Sequence, residues 1–211
     1  MMVKAIVFDM DGVLIDAREW HYEALNRALG HFGHAISRFD HLVTYDGLPT
    51  KQKLEMLSRE RGLPRRLHEF LNALKQQYTM DIVHANCRPI FQHEYALSRL
   101  HAEGFRLAVA SNSIQHTVDV MMEKAALTQY LSVRMSNQSV ARGKPHPDIY
   151  LATFEALGVT ADEVIVVEDN EKGIKAATAA GAHVLAVHEP TDVTYDKIRA
   201  EIDLVQKGVA A

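Results

Sequence analysis

The chain opens with Val3-Lys4-Ala5-Ile6-Val7-Phe8-Asp9-Met10-Asp11-Gly12-Val13, in which a mostly apolar run leads into two carboxylates one residue apart. A short and nearly continuous apolar run is typical of a strand buried on both faces of a parallel sheet. Open α/β sheets keep their reactive groups beyond the carboxyl ends of such strands. The stretch therefore predicts an α/β fold with Asp9 and Asp11 at the reactive edge of its first strand.

Four further apolar runs predict the other strands of the sheet, and helical patterns separate them. Pro147 and Gly158 bracket one predicted helix. Ser113 and Asn170 are candidate N-caps of two others. Strands that alternate with helices predict a Rossmann-like, parallel sheet. The predicted strands are residues 107–110, 131–135, 164–167 and 184–187.

A long stretch after Asp16 breaks this alternation, because it has helical periodicity and no convincing strand. Asp16 and Glu19 resemble a capping box at the start of a first helix. A second predicted helix follows Pro49 and ends near Gly62. We therefore expect a small helical cap domain that is inserted into an α/β core domain. The expected boundaries are 17–81 for the cap and 1–16 with 82–211 for the core.

Composition excludes several classes of protein. The 211 residues are 47% hydrophobic, which suits a sizeable core, and the net charge of -4 is spread along the chain. This charge pattern argues against nucleic-acid binding and against a polybasic membrane surface. The single cysteine, Cys87, excludes an internal disulfide and fits a reducing compartment. With no signal-peptide pattern and no long apolar run, we expect a soluble, cytoplasmic protein.

Polar side chains that suit phosphoryl transfer fall at the predicted strand ends, which share one edge of a parallel sheet. A carboxylate can act as a nucleophile, and carboxylate oxygens suit a hard cation such as Mg²⁺. A hydroxyl with backbone N–H groups suits phosphate, and a lysine adds a fixed positive charge. The segments are Asp9 with Asp11, Ser111-Asn112-Ser113, Gly143-Lys144 and Glu168-Asp169.

Charge balance among these groups indicates a role for Asp11. If all four carboxylates were ionised, one Mg²⁺ and Lys144 would offset only three of the four negative charges. A phosphate dianion would then enter a site that is already negative. A protonated Asp11 removes one charge and can give its proton to the leaving oxygen. We therefore expect Asp11 to act first as an acid and later as a base on water.

The four segments resemble, in this order, the four motifs of the haloacid dehalogenase superfamily. Their order and spacing match over almost the whole chain, and the helical insert looks like that superfamily's class I cap. Within the superfamily, the chain is most similar to the β-phosphoglucomutase-like phosphatases and mutases. An isolated Asp-x-Asp is weak evidence, but all four motifs together are specific. The resemblance implies phosphoryl transfer, because dehalogenases lack the second aspartate, Asp11.

The resemblance also implies a role for each motif residue. Asp9 becomes phosphorylated, and Asp11 is the general acid and base. Ser111 and Lys144 hold the transferring phosphoryl group, with Asn112 beside them as a candidate for substrate binding. The implied cofactor is Mg²⁺. Its expected ligands are Asp9, Asp11 through its backbone carbonyl, Glu168 and Asp169.

The cap holds the residues that would separate a phosphatase from a mutase. His21 matches a histidine on the first cap helix of the mutases, whereas Thr50 stands where they carry an arginine for a second phosphate. Lys51 or Lys53 can supply charge there, but a lysine does not reproduce a bidentate guanidinium. His21, Lys51 and Lys53 are candidate substrate contacts, and each can equally be an ordinary side chain of an exposed helix.

We therefore predict a Mg²⁺-dependent phosphatase that hydrolyses a small phosphorylated metabolite, such as a sugar or polyol phosphate, through a phospho-aspartate. A β-phosphoglucomutase-like sugar phosphomutase is the alternative, and a non-catalytic binding module is a third interpretation. We expect the cap to exclude bulk water during transfer, and its small size argues against nucleic-acid or protein substrates. The expected assembly is a monomer or a homodimer.

Overall fold

The computed structural model describes residues 2–45 and 47–208, and the chain forms two compact units. The first unit is Met1–Asp16 with Arg88–Ala211, and the second is Ala17–Cys87. In chain order the strands and α-helices are β1 Ala5–Phe8, α1 Arg18–Gly30, α2 Arg38–Asp40, α3 Thr50–Arg61, α4 His68–Asn86, α5 Phe91–Ala102, β2 Arg106–Ala110, α6 Gln115–Lys124, β3 Leu131–Met135, α7 Asp148–Leu157, β4 Val164–Glu168, α8 Glu171–Ala179, β5 His183–Ala186 and α9 Tyr195–Gln206.

Within the described residues, the first unit has one five-stranded sheet with the order β3-β2-β1-β4-β5, and every pairing is parallel. The central strand is β1, in which Ala5 pairs with Arg106 of β2 and with Val164 of β4. The predicted Rossmann-like α/β fold is confirmed, because each predicted apolar run forms a strand. The residues that follow β1, β2 and β4 consequently lie at one edge of the sheet.

A buried apolar cluster holds α7 and α8 against this sheet. Tyr150 and Phe154 of α7 and Ala177 of α8 pack with Val7 and Ala110 in this cluster. Burial of a large side chain such as Phe154 contributes about 1.5–3 kcal/mol to stability. Packing of the first turn of α7 therefore sets where that turn lies relative to the strand ends.

Three helix starts in the first unit were predicted from single residues, and two of them are correct. Pro147 is the N-cap of α7, and the Asn170 side chain accepts a hydrogen bond from the Gly173 N–H at the start of α8. The prediction for Ser113 is wrong, because Ile114 is the N-cap of α6. The Ser113 hydroxyl instead donates to Oδ2 of Asp11 at 3.0 Å. A hydrogen bond from a hydroxyl to a carboxylate is charge-assisted, so this contact holds the Ser113 side chain at Asp11.

The second unit is helical, with α1, α3 and α4 packed around a buried cluster that includes Leu25, Leu54 and Leu71. Helix α3 begins after Pro49 and ends at Arg61, next to Gly62 as predicted, and Gly62 is its C-cap in the left-handed conformation with φ 69°. The Asp16–Glu19 capping box is not formed, because the N-cap of α1 is Ala17 and has no side-chain bond. A π-helix, His41–Tyr45, follows α2.

Two features of the chain organisation differ from the sequence-based expectation. Helix α4 continues through residue 81 to Asn86, so the expected boundary at 81 and 82 falls within it, and the domain division stays a prediction. Helices α5 and α9 were not predicted, although Ile198 and Ile202 of α9 are buried at helical spacing. Among the described residues, no helix combines the length and apolar character needed to cross a membrane.

Candidate active site

The expected site residues of the first unit converge at the carboxyl edge of the sheet. Asp9 directly follows β1, and its N–H donates to the carbonyl of Val167 in β4 at 2.9 Å. Ser111 directly follows β2, and its N–H donates to the carbonyl of Met135 in β3 at 3.0 Å. These two bonds continue the strand pairing by one residue, so the backbones that carry Asp9 and Ser111 are fixed by the sheet itself.

Lys144 reaches this edge from the loop between β3 and α7. Its Nζ donates to Oδ1 of Asp9 at 2.5 Å, to Oε1 of Glu168 at 2.6 Å and to the carbonyl of Ala110 at 2.8 Å. Each proton of the ammonium thus has an acceptor, which is what a buried charge requires. Burial acts to lower the pKa of Lys144, but the charges of Asp9 and Glu168 outweigh it and raise that pKa above its ordinary value.

Glu168, the last residue of β4, is held at both carboxylate oxygens. Its Oε1 accepts from Lys144 and also from the hydroxyl of Tyr150, and its Oε2 accepts from the Asp169 N–H at 3.2 Å and from Asn170 Nδ2 at 3.3 Å. A Cβ at Gly173 would lie 1.9–2.2 Å from the atoms of this carboxylate. Glycine is therefore required at this position of α8 for Glu168 to keep its place.

Tyr150 of α7 is a site residue that was not singled out from the sequence. Its side chain is fully buried, and its ring centroid lies 4.9 Å from the Lys144 Nζ. Burial, followed by the charge of Glu168, raises the pKa of the phenol well above its ordinary value, so the hydroxyl stays protonated and donates. A signal for this role was available in the sequence, because a core position of the helix holds a tyrosine rather than a phenylalanine. A buried tyrosine hydroxyl needs a hydrogen-bond partner.

The turn after Asp9, which contains Asp11 and Gly12, lies against the side chain of Asp169. Gly12 has φ 91°, and a Cβ there would lie 2.0 Å from Oδ2 of Asp169. Only glycine therefore suits this turn, both for its conformation and for the space that the Asp169 carboxylate takes. The Asp11 carboxylate accepts the hydrogen bond from the Ser113 hydroxyl that was described above.

Three carboxylates at this edge form a set that suits a divalent metal. One oxygen from each of Asp9, Glu168 and Asp169 lies within 4.8 Å of the others. Burial, followed by the charge of Glu168, raises the pKa of Asp9 well above its ordinary value, whereas Lys144 opposes the rise. An oxygen-only, negatively charged set is what Mg²⁺ prefers. The expected participation of Asp11 through its carbonyl stays a prediction.

Asn112 lies at the same edge, but its side chain is bonded to the protein backbone. Its Oδ1 accepts from the Lys144 N–H at 3.0 Å, and its Nδ2 donates to the Lys144 carbonyl at 3.2 Å. The Asn112 carbonyl accepts from Asn137 Nδ2 at 2.6 Å. The expected contact of Asn112 with substrate stays a prediction, and so does the phosphoryl contact expected of Ser111, whose hydroxyl accepts from the Ser113 N–H at 3.0 Å.

The remaining expected site residues belong to the second unit. His21 is on α1, and its Nδ1 lies 3.2 Å from the Nζ of Lys75 on α4. Lys51 is exposed at the start of α3, whereas Lys53 is buried two residues later. Lys75, which is also buried, was not singled out from the sequence. The substrate contacts expected of His21, Lys51 and Lys53 stay predictions.

A parallel sheet with clustered carboxylates and one buried lysine at its strand ends defines an α/β enzyme with an acidic active site. The chain belongs to the haloacid dehalogenase-like hydrolase family, whose model matches residues 6–187. It is similar to a phosphorylated carbohydrates phosphatase of Thermotoga maritima, at 29% identity over 185 residues that cover 85% of this chain and 82% of that protein. A phosphoglycolate phosphatase of Aquifex aeolicus is 26% identical, over 85% of this chain and 82% of that one.

Solved structures of the same fold include a β-phosphoglucomutase of Clostridium difficile. It has a TM-score of 0.82 and 18% identity, and the match covers 96% of this chain and 98% of that one. CbbY of Rhodobacter sphaeroides in complex with xylulose-(1,5)bisphosphate has a TM-score of 0.80 and 22% identity, over 88% and 86% of the two chains. The expected family is thereby confirmed, and the family match with its phosphatase relatives supports a phosphatase.

Proposed function

We propose that this protein is a Mg²⁺-dependent phosphatase that hydrolyses a small phosphorylated metabolite through a phosphorylated Asp9. The observation that carries the proposal is the Lys144 ammonium, which lies 2.5 Å from Asp9 and 2.6 Å from Glu168 at the carboxyl edge of the sheet. This arrangement supplies a buried carboxylate with one oxygen oriented by a fixed cation. Such an oriented carboxylate is what covalent phosphoryl transfer requires.

In the proposed first step, an oxygen of Asp9 attacks phosphorus while the bond from phosphorus to the leaving ester oxygen breaks. Asp11 gives its proton to that oxygen, so the product leaves as an alcohol. In the second step, Asp11 takes a proton from water, and the water oxygen attacks the acyl phosphate. The bond from Asp9 to phosphorus breaks, which releases inorganic phosphate and restores both aspartates.

The residues that would hold Mg²⁺ are Asp9, Glu168 and Asp169, with the Asp11 carbonyl as a further candidate. When bound, the ion supplies positive charge that offsets the carboxylates and the phosphoryl oxygens. The protein contributes the fixed positions of these side chains. Lys144 and Tyr150 orient Glu168, and the glycines at 12 and 173 leave room for Asp169 and Glu168.

A sugar or polyol phosphate is the proposed substrate class. The name of the Thermotoga maritima relative specifies phosphorylated carbohydrates, which supports this class. We propose hydrolysis rather than a sugar phosphomutase reaction, because Thr50 stands where the resemblance implies an arginine for a second phosphate. The mutase neighbours, at this low identity, share the fold alone.

The proposal is tested by incubating the purified protein with a panel of phosphorylated metabolites and measuring released phosphate. We expect turnover of one or more sugar or polyol phosphates with Mg²⁺, no turnover with EDTA, and no turnover by Asp9→Asn. Sugar phosphate isomers are measured in the same samples. Isomerisation without free phosphate would establish the mutase instead, and inactivity toward every ester, including para-nitrophenyl phosphate, would contradict an enzymatic role.

A further inference from the structure

The position of Lys144 is not set by the strand that precedes it. Strand β3 ends at Met135, and the loop that follows runs on to the start of α7 at Asp148. The sheet fixes residues that directly follow a strand, such as Asp9 and Ser111, but it gives no such register to Lys144. Some other contact has to place the Lys144 backbone so that its ammonium reaches both Asp9 and Glu168.

The Asn112 carboxamide makes this contact with two hydrogen bonds of opposite direction. Its Oδ1 accepts from the N–H of Lys144, and its Nδ2 donates to the carbonyl of the same residue. This is the pattern that a neighbouring strand would offer to Lys144. Asn112 itself lies two residues beyond the end of β2, where the pairing of β2 with β1 and β3 fixes the backbone.

Two neighbouring residues are fitted to this contact. At Gly143, a Cβ would lie 2.5 Å from the Asn112 Oδ1, so any side chain there would displace the carboxamide. Asn137 donates to the Asn112 carbonyl at 2.6 Å and thereby ties the two loops a second time. Both side-chain polar atoms of Asn112 and its carbonyl are thus used within the protein.

From this geometry we infer that Asn112 is a positioning residue, which carries the register of β2 to Lys144 and so places the ammonium between Asp9 and Glu168. The inference rests on the proposed function in that Lys144 acts on a phosphoryl-transfer nucleophile. In the inferred role, Asn112 acts through Lys144, whereas the expected role was direct contact with the substrate. A positioning role acts through the common nucleophile, so its loss affects every substrate alike.

The test compares Asn112→Ala with a matched control, Gln138→Ala. Gln138 also ties these loops, because its Oε1 accepts from the Gln115 N–H at 2.8 Å, but its described hydrogen bonds do not involve Lys144. We expect Asn112→Ala to lower kcat about 10- to 100-fold with three chemically unrelated phosphate esters, because small misplacements of reacting groups cost up to about 100-fold. KM should change by less than about threefold, and Gln138→Ala should stay within about twofold of wild type in both parameters.

A loss that appears mainly in KM, or that differs strongly between esters, would instead identify Asn112 as a substrate ligand and overturn the inference. An equal loss of kcat in Gln138→Ala would overturn it too, because general loop tethering would then explain the effect. Thermal unfolding of each variant shows whether the fold is retained. Gly143→Ala should resemble Asn112→Ala, and the double variant should be no worse than Asn112→Ala alone, because the Cβ then meets no carboxamide.

A crystal structure of Asn112→Ala gives a readout that is independent of turnover. We expect the Lys144 Nζ to lose its hydrogen bond to Asp9 or to Glu168 while the strands stay in place. An ammonium that keeps all three of its bonds would overturn the inference even if the wild-type protein proves to hydrolyse no ester. Failure of the proposed function and failure of the positioning role are thus seen in different experiments.

Discussion

The Nζ of Lys144 lies 2.5 Å from Oδ1 of Asp9, although 135 residues separate the two along the chain. This ion pair links the end of β1 to the loop between β3 and α7. It provides a carboxylate with one oxygen fixed and a cation that is itself held by Glu168.

Replacement of Asp9 by asparagine should abolish turnover without harming the fold. An amide is a poor nucleophile, so we expect kcat to fall by at least about 1,000-fold, as expected when a catalytic nucleophile is removed. Thermal stability should be equal to or higher than that of the wild type, because burial and the neighbouring carboxylates raise the pKa of Asp9 and disfavour its charge. Phosphate release and thermal unfolding measure the two effects. Turnover within about tenfold of wild type would rule out Asp9 as nucleophile.

Tyr150→Phe should lower activity while the aromatic ring stays beneath Lys144. The variant removes only the hydroxyl that donates to Glu168. We expect a loss of about 1–3 kcal/mol in unfolding free energy, because one oxygen of a buried carboxylate loses a donor. Urea denaturation measures this loss, and Mg²⁺-dependent phosphate release measures activity. Tyr95→Phe, at an exposed position of α5, is the control. Equal behaviour of both variants would show that the Tyr150 hydroxyl has no special role.

Asp169→Asn should weaken Mg²⁺ binding. One oxygen from each of three carboxylates lies within 4.8 Å of the others. Because these oxygens can bind Mg²⁺ in the folded state, the ion is expected to stabilise the wild-type protein and raise its unfolding temperature. The variant removes one charged ligand, so we expect apparent Mg²⁺ affinity to fall by about 10- to 100-fold, as for other perturbed metal sites. Thermal unfolding against Mg²⁺ concentration measures this without activity. A matched Asp162→Asn variant, away from the strand ends, should keep the wild-type response. An unchanged response in Asp169→Asn would exclude Asp169 as a ligand.

The unfolding free energy should fall on the acid side because of His93. This residue of α5 is 1% exposed and bonds to the carbonyl of Pro190 at 2.8 Å. Burial lowers the pKa of His93, although its bonds to the backbone of Pro190 and Leu14 oppose the effect. Because the folded pKa lies below the unfolded value of about 6.5, the unfolded chain binds the proton first. The stabilisation is thus complete above that pH and is lost as pH falls through the folded pKa.

Urea denaturation between pH 5 and pH 8, roughly spanning the histidine range, measures this dependence. In this range the His93→Gln variant should show a flatter profile than the wild type, by up to about 1.4 kcal/mol per pH unit for one proton. The same substitution at exposed His116 serves as the control and should leave the profile unchanged. Parallel profiles for the wild type and His93→Gln would remove His93 as the source.

The sequence was sufficient to predict the sheet, because apolar runs and helix caps such as Asn170 are local signals. It was also sufficient to bring Asp9 and Asp169 to one edge, since parallel topology puts strand ends together, whereas Lys144 lies nine positions beyond the end of β3 and depends on contacts of its loop. It could not predict the bonds of Ser113 or of Tyr150, because both depend on carboxylates more than 15 residues away. A hydroxyl near a helix start and a tyrosine on a buried helix face have ordinary local explanations.

Three glycines described above have one property in common: the position that a Cβ atom would take is occupied by an atom of a side chain of the site. Asp169 fills that place at Gly12, Asn112 fills it at Gly143, and Glu168 fills it at Gly173. Alanine at these positions would look like a harmless substitution in a comparison of sequences. Each substitution would nevertheless displace a different side chain of the site. In a saturation mutagenesis library, we expect substitutions of these three glycines to be tolerated almost as poorly as substitutions of the aspartates. The glycines themselves take no part in the chemistry.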